Sequence, residues 1–193
     1  MAADAVDMSG PSDLVHTVSL VSAANQARPQ LAHRLDGRYE PMSPTEMMDL
    51  VRGLVASIDV GATDAVLGLP EGGVAPAFAF AHLTDRPLIL STRLALALPG
   101  GVSFEEPHSG LGTTHQIYGL REGDRVVLIE DEVTTGRTVI NVVRALRKAG
   151  IRIDEVGSLL VVDDPDMWRA MRAEGIRLSA VVRLPADVLT PSA

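Results

Sequence analysis

At 193 residues the chain is long enough to close one real core without disulfides or metals. Hydrophobic residues make up 46% and aromatics 3%, so that core is built from Ala, Val, Leu and Ile, and with no cysteine a disulfide scaffold, thiolate zinc and a cysteine nucleophile are excluded. A net charge of -8 without a basic patch argues against a nucleic-acid partner or an anionic membrane surface.

Residues 1–13 are small, acidic and rich in Gly, Pro and Ser, and read as a flexible leader without a signal sequence. No apolar run approaches the roughly 20 residues that cross a bilayer, so a cytoplasmic location without membrane contact is expected. Apolar alternation over 14–21 predicts a half-buried strand, and the polar stretch 25–42 reads as a surface lobe outside the core. Ser43-Pro44-Thr45-Glu46 is a capping box, and Met47, Leu50, Val51, Leu54, Val55 and Ile58 recur at helical spacing, predicting a helix over 44–58.

AVLGLP then gives a short buried strand, EGGV a turn, PAFAFAHLTD a helix and PLILST another strand. Residues 94–116 hold glycines, two prolines and two histidines with little periodicity, and are expected to form a long surface loop. Beyond it a strand over 125–130, a helix over 137–149 ended by Gly150, a strand over 156–162, a helix from Asp164-Pro165 to near Gly175, and a last strand LSAVVRL repeat the alternation. Strands alternating with helices imply parallel βαβ units, in which ligands bind beyond the carboxyl ends of the strands.

VVLIEDEVTTGRT, residues 126–138, lies at such an end. Thr134-Thr135-Gly136-Arg137-Thr138 follows a strand and opens a helix, so its backbone N–H groups and threonine hydroxyls suit a phosphate monoester. The same residues also make an ordinary strand-to-helix turn. The acids just before it cannot face that phosphate without repulsion, so Glu130 and Asp131 suit sugar hydroxyls or the waters of Mg²⁺. Three successive acids after an apolar strand need a ligand or cation to offset their desolvation.

This stretch resembles the phosphoribosyl diphosphate (PRPP) motif of the type I phosphoribosyltransferases, and with HQIYGLREGDR before it is most similar to the orotate phosphoribosyltransferase-like branch. The resemblance covers roughly residues 63–183. It implies a parallel α/β sheet flanked by helices, with a small N-terminal hood over 14–42 that recognises the acceptor and a core domain over 43–190. It implies an Mg²⁺-dependent enzyme, active as a homodimer, that moves the phosphoribosyl group from PRPP to a nucleobase or related heterocyclic or aromatic acceptor.

By the same resemblance Glu130 and Asp131 would hold the ribose hydroxyls and the metal's shell, while Thr134, Thr135, Gly136, Arg137 and Thr138 would wrap the 5-phosphate. GLPEGGVAPA resembles the family's diphosphate loop, often built on a non-proline cis peptide, which places Glu71, Gly72 and Gly73 there and Arg93 as a further diphosphate contact. FEEPHSGLGTTHQ resembles the flexible catalytic loop. Family members usually carry lysine or arginine there, whereas the only lysine in this chain is Lys148, leaving His108 and His115 as the loop's basic groups. That departure keeps a second reading open, a regulatory or binding protein that retains the PRPP pocket without turnover. Asn25, Arg28, Arg34, Arg38 and Tyr39 are the hood's polar and stacking groups. Asp163 and Asp164 could border the base site, although Asp164 before Pro165 reads better as a helix cap, and Trp168 with Met171 as helix packing.

Overall fold

A computed structural model of the chain describes residues 19–21, 30–35, 37, 40–107 and 113–189. Five strands form the central sheet, each flanked by parallel neighbours: β3 (Ala65–Gly68), β4 (Leu88–Leu90), β7 (Arg125–Val133), β8 (Arg152–Asp163) and β9 (Arg177–Pro185), in the order β4-β3-β7-β8-β9. The helices are α1 (Pro44–Ser57), α2 (Val74–Thr84), α3 (Arg137–Lys148) and α4 (Pro165–Ala173). Two short antiparallel pairs complete the fold, β1 (Ser19–Val21) with β2 (Gln30–Ala32) and β5 (Val102–Glu106) with β6 (Thr113–Ile117).

Strand order fixes where a ligand can sit. From β3 the chain crosses through α2 to β4 on one side, whereas from β7 it crosses through α3 to β8 on the other. Right-handed crossovers in opposite directions put their helices on opposite faces. One apolar layer accordingly joins α1 and α2 to the sheet through Val51, Leu54, Ala77, Phe80, Val127 and Ile129, and the other joins α3, α4 and the β5–β6 hairpin through Val143, Leu146, Met171, Phe104, Val126 and Leu128. The topological switch therefore lies between β3 and β7, and the crevice beyond their carboxyl ends is the place for a ligand in such a sheet.

α1 begins as expected: the Ser43 side chain accepts from the Glu46 backbone N–H and the Glu46 carboxylate accepts from the Ser43 N–H, with Pro44 opening the helix. Glu46 also receives Arg34 at 2.8 Å, which ties the N-terminal lobe to the core.

Four expectations are corrected. Residues 94–116 are not a structureless loop, because Val102, Phe104, His115 and Ile117 alternate with polar residues and turn inward onto α3, so 102–106 and 113–117 pair as β5 and β6. The expected strand over 125–130 does not stop at Glu130; β7 runs on through Asp131 and Glu132 to Val133, with Glu130 opposite Ser158 and Glu132 opposite Leu160. β8 is longer at its start, from Arg152, than the expected strand over 156–162. The lobe over 25–42 is not wholly surface, since Leu31 and Leu35 belong to the α1–α2 layer and His33 is buried between them in sequence. Residues 14–18 of the expected first strand, and the hood candidates Asn25, Arg28, Arg38 and Tyr39, lie outside the described residues. Among the described residues no helix is long and apolar enough to cross a membrane.

Candidate functional site

Two strand-to-helix turns meet at the switch point. After β3 the chain runs Leu69-Pro70-Glu71-Gly72-Gly73 into α2, and the Pro70–Glu71 peptide is cis. Glu71 is exposed, but Gly72 and Gly73 are buried. A Cβ on Gly72 would stand 2.0 Å from the Asp131 carboxylate, and one on Gly73 would stand 2.7 Å from the Leu69 carbonyl oxygen and 3.2 Å from that of Ile129. The missing side chains thus let Asp131 rest directly on the backbone of the first turn. Residues predicted from separate stretches are in contact here.

After β7 the chain runs Thr134-Thr135-Gly136 into α3. Gly136 takes the left-handed conformation (φ 69°) that L side chains avoid, and no side chain caps the helix behind it. There is no acid in the first turn of α3. Its first amides therefore keep their partial positive charge for an anion, beside the half-buried Thr134, Thr135 and Thr138 and the exposed Arg137. A Cβ on Gly136 would meet Met171 Cε at 2.6 Å, so α4 is packed against this turn.

The acids divide between the two faces of the sheet. Val126 and Leu128 face the α3 layer and Val127 and Ile129 face the α2 layer, which by alternation sends Glu130 with the former and Asp131 with the latter. Past that point the alternation breaks across the sheet. Leu159 and Leu160 of β8 both enter the α1–α2 layer, as do Val181 and Val182 of β9, while the Ser158 hydroxyl donates to the Leu160 carbonyl at 2.6 Å. Val133 returns to the α3 layer. Asp131 and Glu132 consequently end on the same side, where the N-terminal lobe delivers His33 with Nε2 3.2 Å from Glu132 Oε2. Glu130 and Asp131 are 8% and 6% exposed, whereas Glu132 is less enclosed.

His33 is the residue that the sequence reading missed. Its signal was the alternation Leu31, His33, Leu35, three buried positions at a spacing of two in a stretch otherwise polar.

The expected loop histidines fare differently. His108 lies outside the described residues. His115 is not in a loop: it sits in β6, 1% exposed, stacked on Phe104 at 5.2 Å between ring centroids. Its Nε2 is 3.0 Å from Glu106 Oε2 and its Nδ1 3.3 Å from Ser91 Oγ. Arg93 Nε also approaches Nε2, at 3.5 Å, but one ring nitrogen cannot donate to a carboxylate and accept from a guanidinium at once. The shorter, charge-assisted contact decides: Nε2 donates to Glu106, and Nδ1 faces the Ser91 hydroxyl. Arg93 is half-exposed, 3.8 Å from Glu106, at the root of the hairpin. Ser91 N–H in turn donates to the Gly68 carbonyl at the end of β3, so this group is anchored to the first turn. On its other side the hairpin is held over α3 by Asn141, whose amide donates to the Glu105 carbonyl.

Asp164 caps α4 by accepting from the Asp166 N–H, as the sequence suggested, and Asp163 accepts from Trp168 Nε1, over whose ring Arg183 lies at 4.7 Å.

A family model described as phosphoribosyl transferase matches residues 11–189. The chain is 29% identical to a hypoxanthine/guanine phosphoribosyltransferase of Methanothrix thermoacetophila over 69% of this chain and 67% of that protein. It is 36% identical to an orotate phosphoribosyltransferase of Pyrococcus furiosus over 62% of this chain and 58% of that protein. Among solved structures, an adenine phosphoribosyltransferase from Rhodothermus marinus superposes with a TM-score of 0.70 at 16% identity, covering 89% of this chain and 97% of its own.

Proposed function

The chain belongs to the phosphoribosyl transferase family, and on that premise we propose that it transfers the 5-phosphoribosyl group of PRPP to a ring nitrogen of a nucleobase, releasing diphosphate. The C1–oxygen bond to diphosphate breaks, the C1–nitrogen bond forms, and the acceptor nitrogen gives up its proton. Relatives named for hypoxanthine/guanine and for orotate transfer support this reaction class and leave the base as the variable.

The observation that carries the reading is the close approach of Asp131, near the end of β7, to Gly72 of the first turn, together with the uncapped start of α3 that follows the same strand. The α3 amides, with Thr134, Thr135, Gly136, Arg137 and Thr138, hold the 5-phosphate. Glu130 and Asp131 accept hydrogen bonds from the ribose hydroxyls and fix the sugar between the turns. The backbone of Glu71, Gly72 and Gly73 receives the diphosphate, with Arg93, at the hairpin root, as a further contact. His115 acts through others: bound to Ser91 and Glu106, it positions the hairpin and Arg93. Of the loop FEEPHSGLGTTHQ, which by resemblance would cover the donor, residues 108–112 lie outside the described residues.

The family implies Mg²⁺. The carboxylates of β7 are the hard oxygen donors this ion prefers, so the residues fit: Asp131 would hold it, Glu130 being directed to the other face of the sheet, and it would neutralise charge gathering on the leaving diphosphate. A cytoplasmic homodimer belongs to the same proposal.

Incubation with PRPP, MgCl₂ and separately hypoxanthine, guanine, adenine and orotate, following diphosphate, tests the reading. Release that needs both PRPP and one of these bases is expected. PRPP binding by calorimetry with no release for any acceptor would replace the enzyme with the regulatory reading.

A further inference from the structure

We propose that His33, Asp131 and Glu132 form a divalent-cation site with a nitrogen ligand, so that this chain holds a transition metal such as Mn²⁺ on its own donors before PRPP arrives. One donor atom from each residue lies within 4.8 Å of the others. Three ligands at right angles around an ion with bonds near 2.2 Å stand roughly 3 Å apart, so a modest contraction closes the set. The His33 Nε2 to Glu132 Oε2 distance of 3.2 Å already meets that spacing.

Two features separate this set from a solvated run of acids. The first is the break in alternation described above, which turns Asp131 and Glu132 to one side of the sheet when a regular strand would send them to opposite sides. The second is His33 itself. Its side chain is 1% exposed, held between two core leucines in sequence, and points its ring nitrogen into the carboxylates from a different part of the chain. Two carboxylates and a neutral imidazole carry a charge that a divalent cation cancels, and they occupy three positions of its shell.

Asp131 is also an acceptor proposed above for the ribose hydroxyls, so the cation would meet the sugar diol. That task rests on the phosphoribosyl-transfer reading, but the site's existence does not. An imidazole nitrogen also changes the choice of ion. Oxygen donors alone suit Mg²⁺, whereas nitrogen favours Mn²⁺, Co²⁺ or Zn²⁺.

The test titrates the full chain, without PRPP, with MnCl₂ followed by electron paramagnetic resonance, and repeats the titration with MgCl₂ as competitor. One Mn²⁺ per chain is expected, bound at least about tenfold more tightly than Mg²⁺, with a nitrogen coupling from the imidazole in the pulsed spectrum. His33→Gln abolishes that coupling, and His33→Gln and Glu132→Gln each weaken Mn²⁺ by about tenfold or more, with unchanged circular dichroism for at least the strand variant Glu132→Gln. Absence of Mn²⁺ binding, unchanged affinity in Glu132→Gln, or binding without nitrogen coupling overturns the proposal, the last leaving His33 as a latch between lobe and β7. Loss of diphosphate release with Mn²⁺ binding intact would overturn the transferase reading and leave this one standing.

Discussion

The two turns at the switch point use glycine for opposite ends. In the turn after β3, Gly72 and Gly73 have no unusual φ; what matters is the absence of a side chain, which lets the Asp131 carboxylate and the Ile129 carbonyl press against the backbone. In the turn after β7, Gly136 is needed for its left-handed φ, which bends the chain so that the first amides of α3 are left uncapped. One turn is shaped to receive a neighbour's charge, and the other to present its own dipole. Asp131 thus rests on the first turn, five residues ahead of the glycine that shapes the second.

The sharpest way to break this division removes the charge between the turns. Glu130→Gln with Asp131→Asn keeps volume and hydrogen-bonding capacity, so the fold should persist while turnover falls by about 100-fold or more, measured as diphosphate release beside circular dichroism. Unchanged activity would take both acids out of the mechanism.

Gly72→Ala asks whether the close approach matters by itself. The new methyl would overlap the Asp131 carboxylate at 2.0 Å. Since the end of a side chain can rotate away, the stability loss should stay near 1 kcal/mol, yet Asp131 is displaced and activity should fall almost as far as in the double variant. Gly73→Ala meets backbone atoms that cannot give, the Leu69 carbonyl at 2.7 Å, so there the melting temperature should fall further than for Gly72→Ala. Gly136→Ala tests the other turn. An L residue in the left-handed region costs roughly 1–2 kcal/mol, which for a chain of this size lowers Tm by about 4 °C, and PRPP affinity should drop because the α3 amides move.

These contrasts also explain what could be read from sequence. The β7–α3 site is contiguous: apolar strand, acids, hydroxyls, glycine and helix sit within 126–140, and each local signal agrees with the next. The hairpin was lost because its arms are five residues each and alternate weakly, Val102 and Phe104 against His115 and Ile117, so nothing local separates them from loop. Only packing on α3 makes that alternation meaningful. His33 needed more still, since a strand's partner across the molecule and a break in the alternation of β7 jointly bring it to Glu132. Reading 25–42 as a surface lobe left this histidine outside the core, and its chemistry depends on a contact 99 residues away.

The smallest predicted effect concerns how the lobe that carries His33 is fastened. Glu46 is held below the usual carboxylate range, first by the Ser43 backbone N–H that it accepts in the capping box and then by the nearby Arg34. A carboxyl with a depressed folded pKa stabilises the fold above its ordinary pKa, and that contribution is lost as pH falls through the depressed value. The Arg34–Glu46 contact is therefore intact at neutral pH and weakens only in acid, and because Glu46 is exposed its effect on global stability should be slight. Glu46→Gln should flatten the acid limb of the stability profile a little and raise hydrogen exchange in residues 31–35 at neutral pH, leaving the amides of the β7–α3 turn as protected as before. Equal loosening in both places would mean that lobe and core open as one unit, and that the two turns are not held independently of the N-terminal lobe.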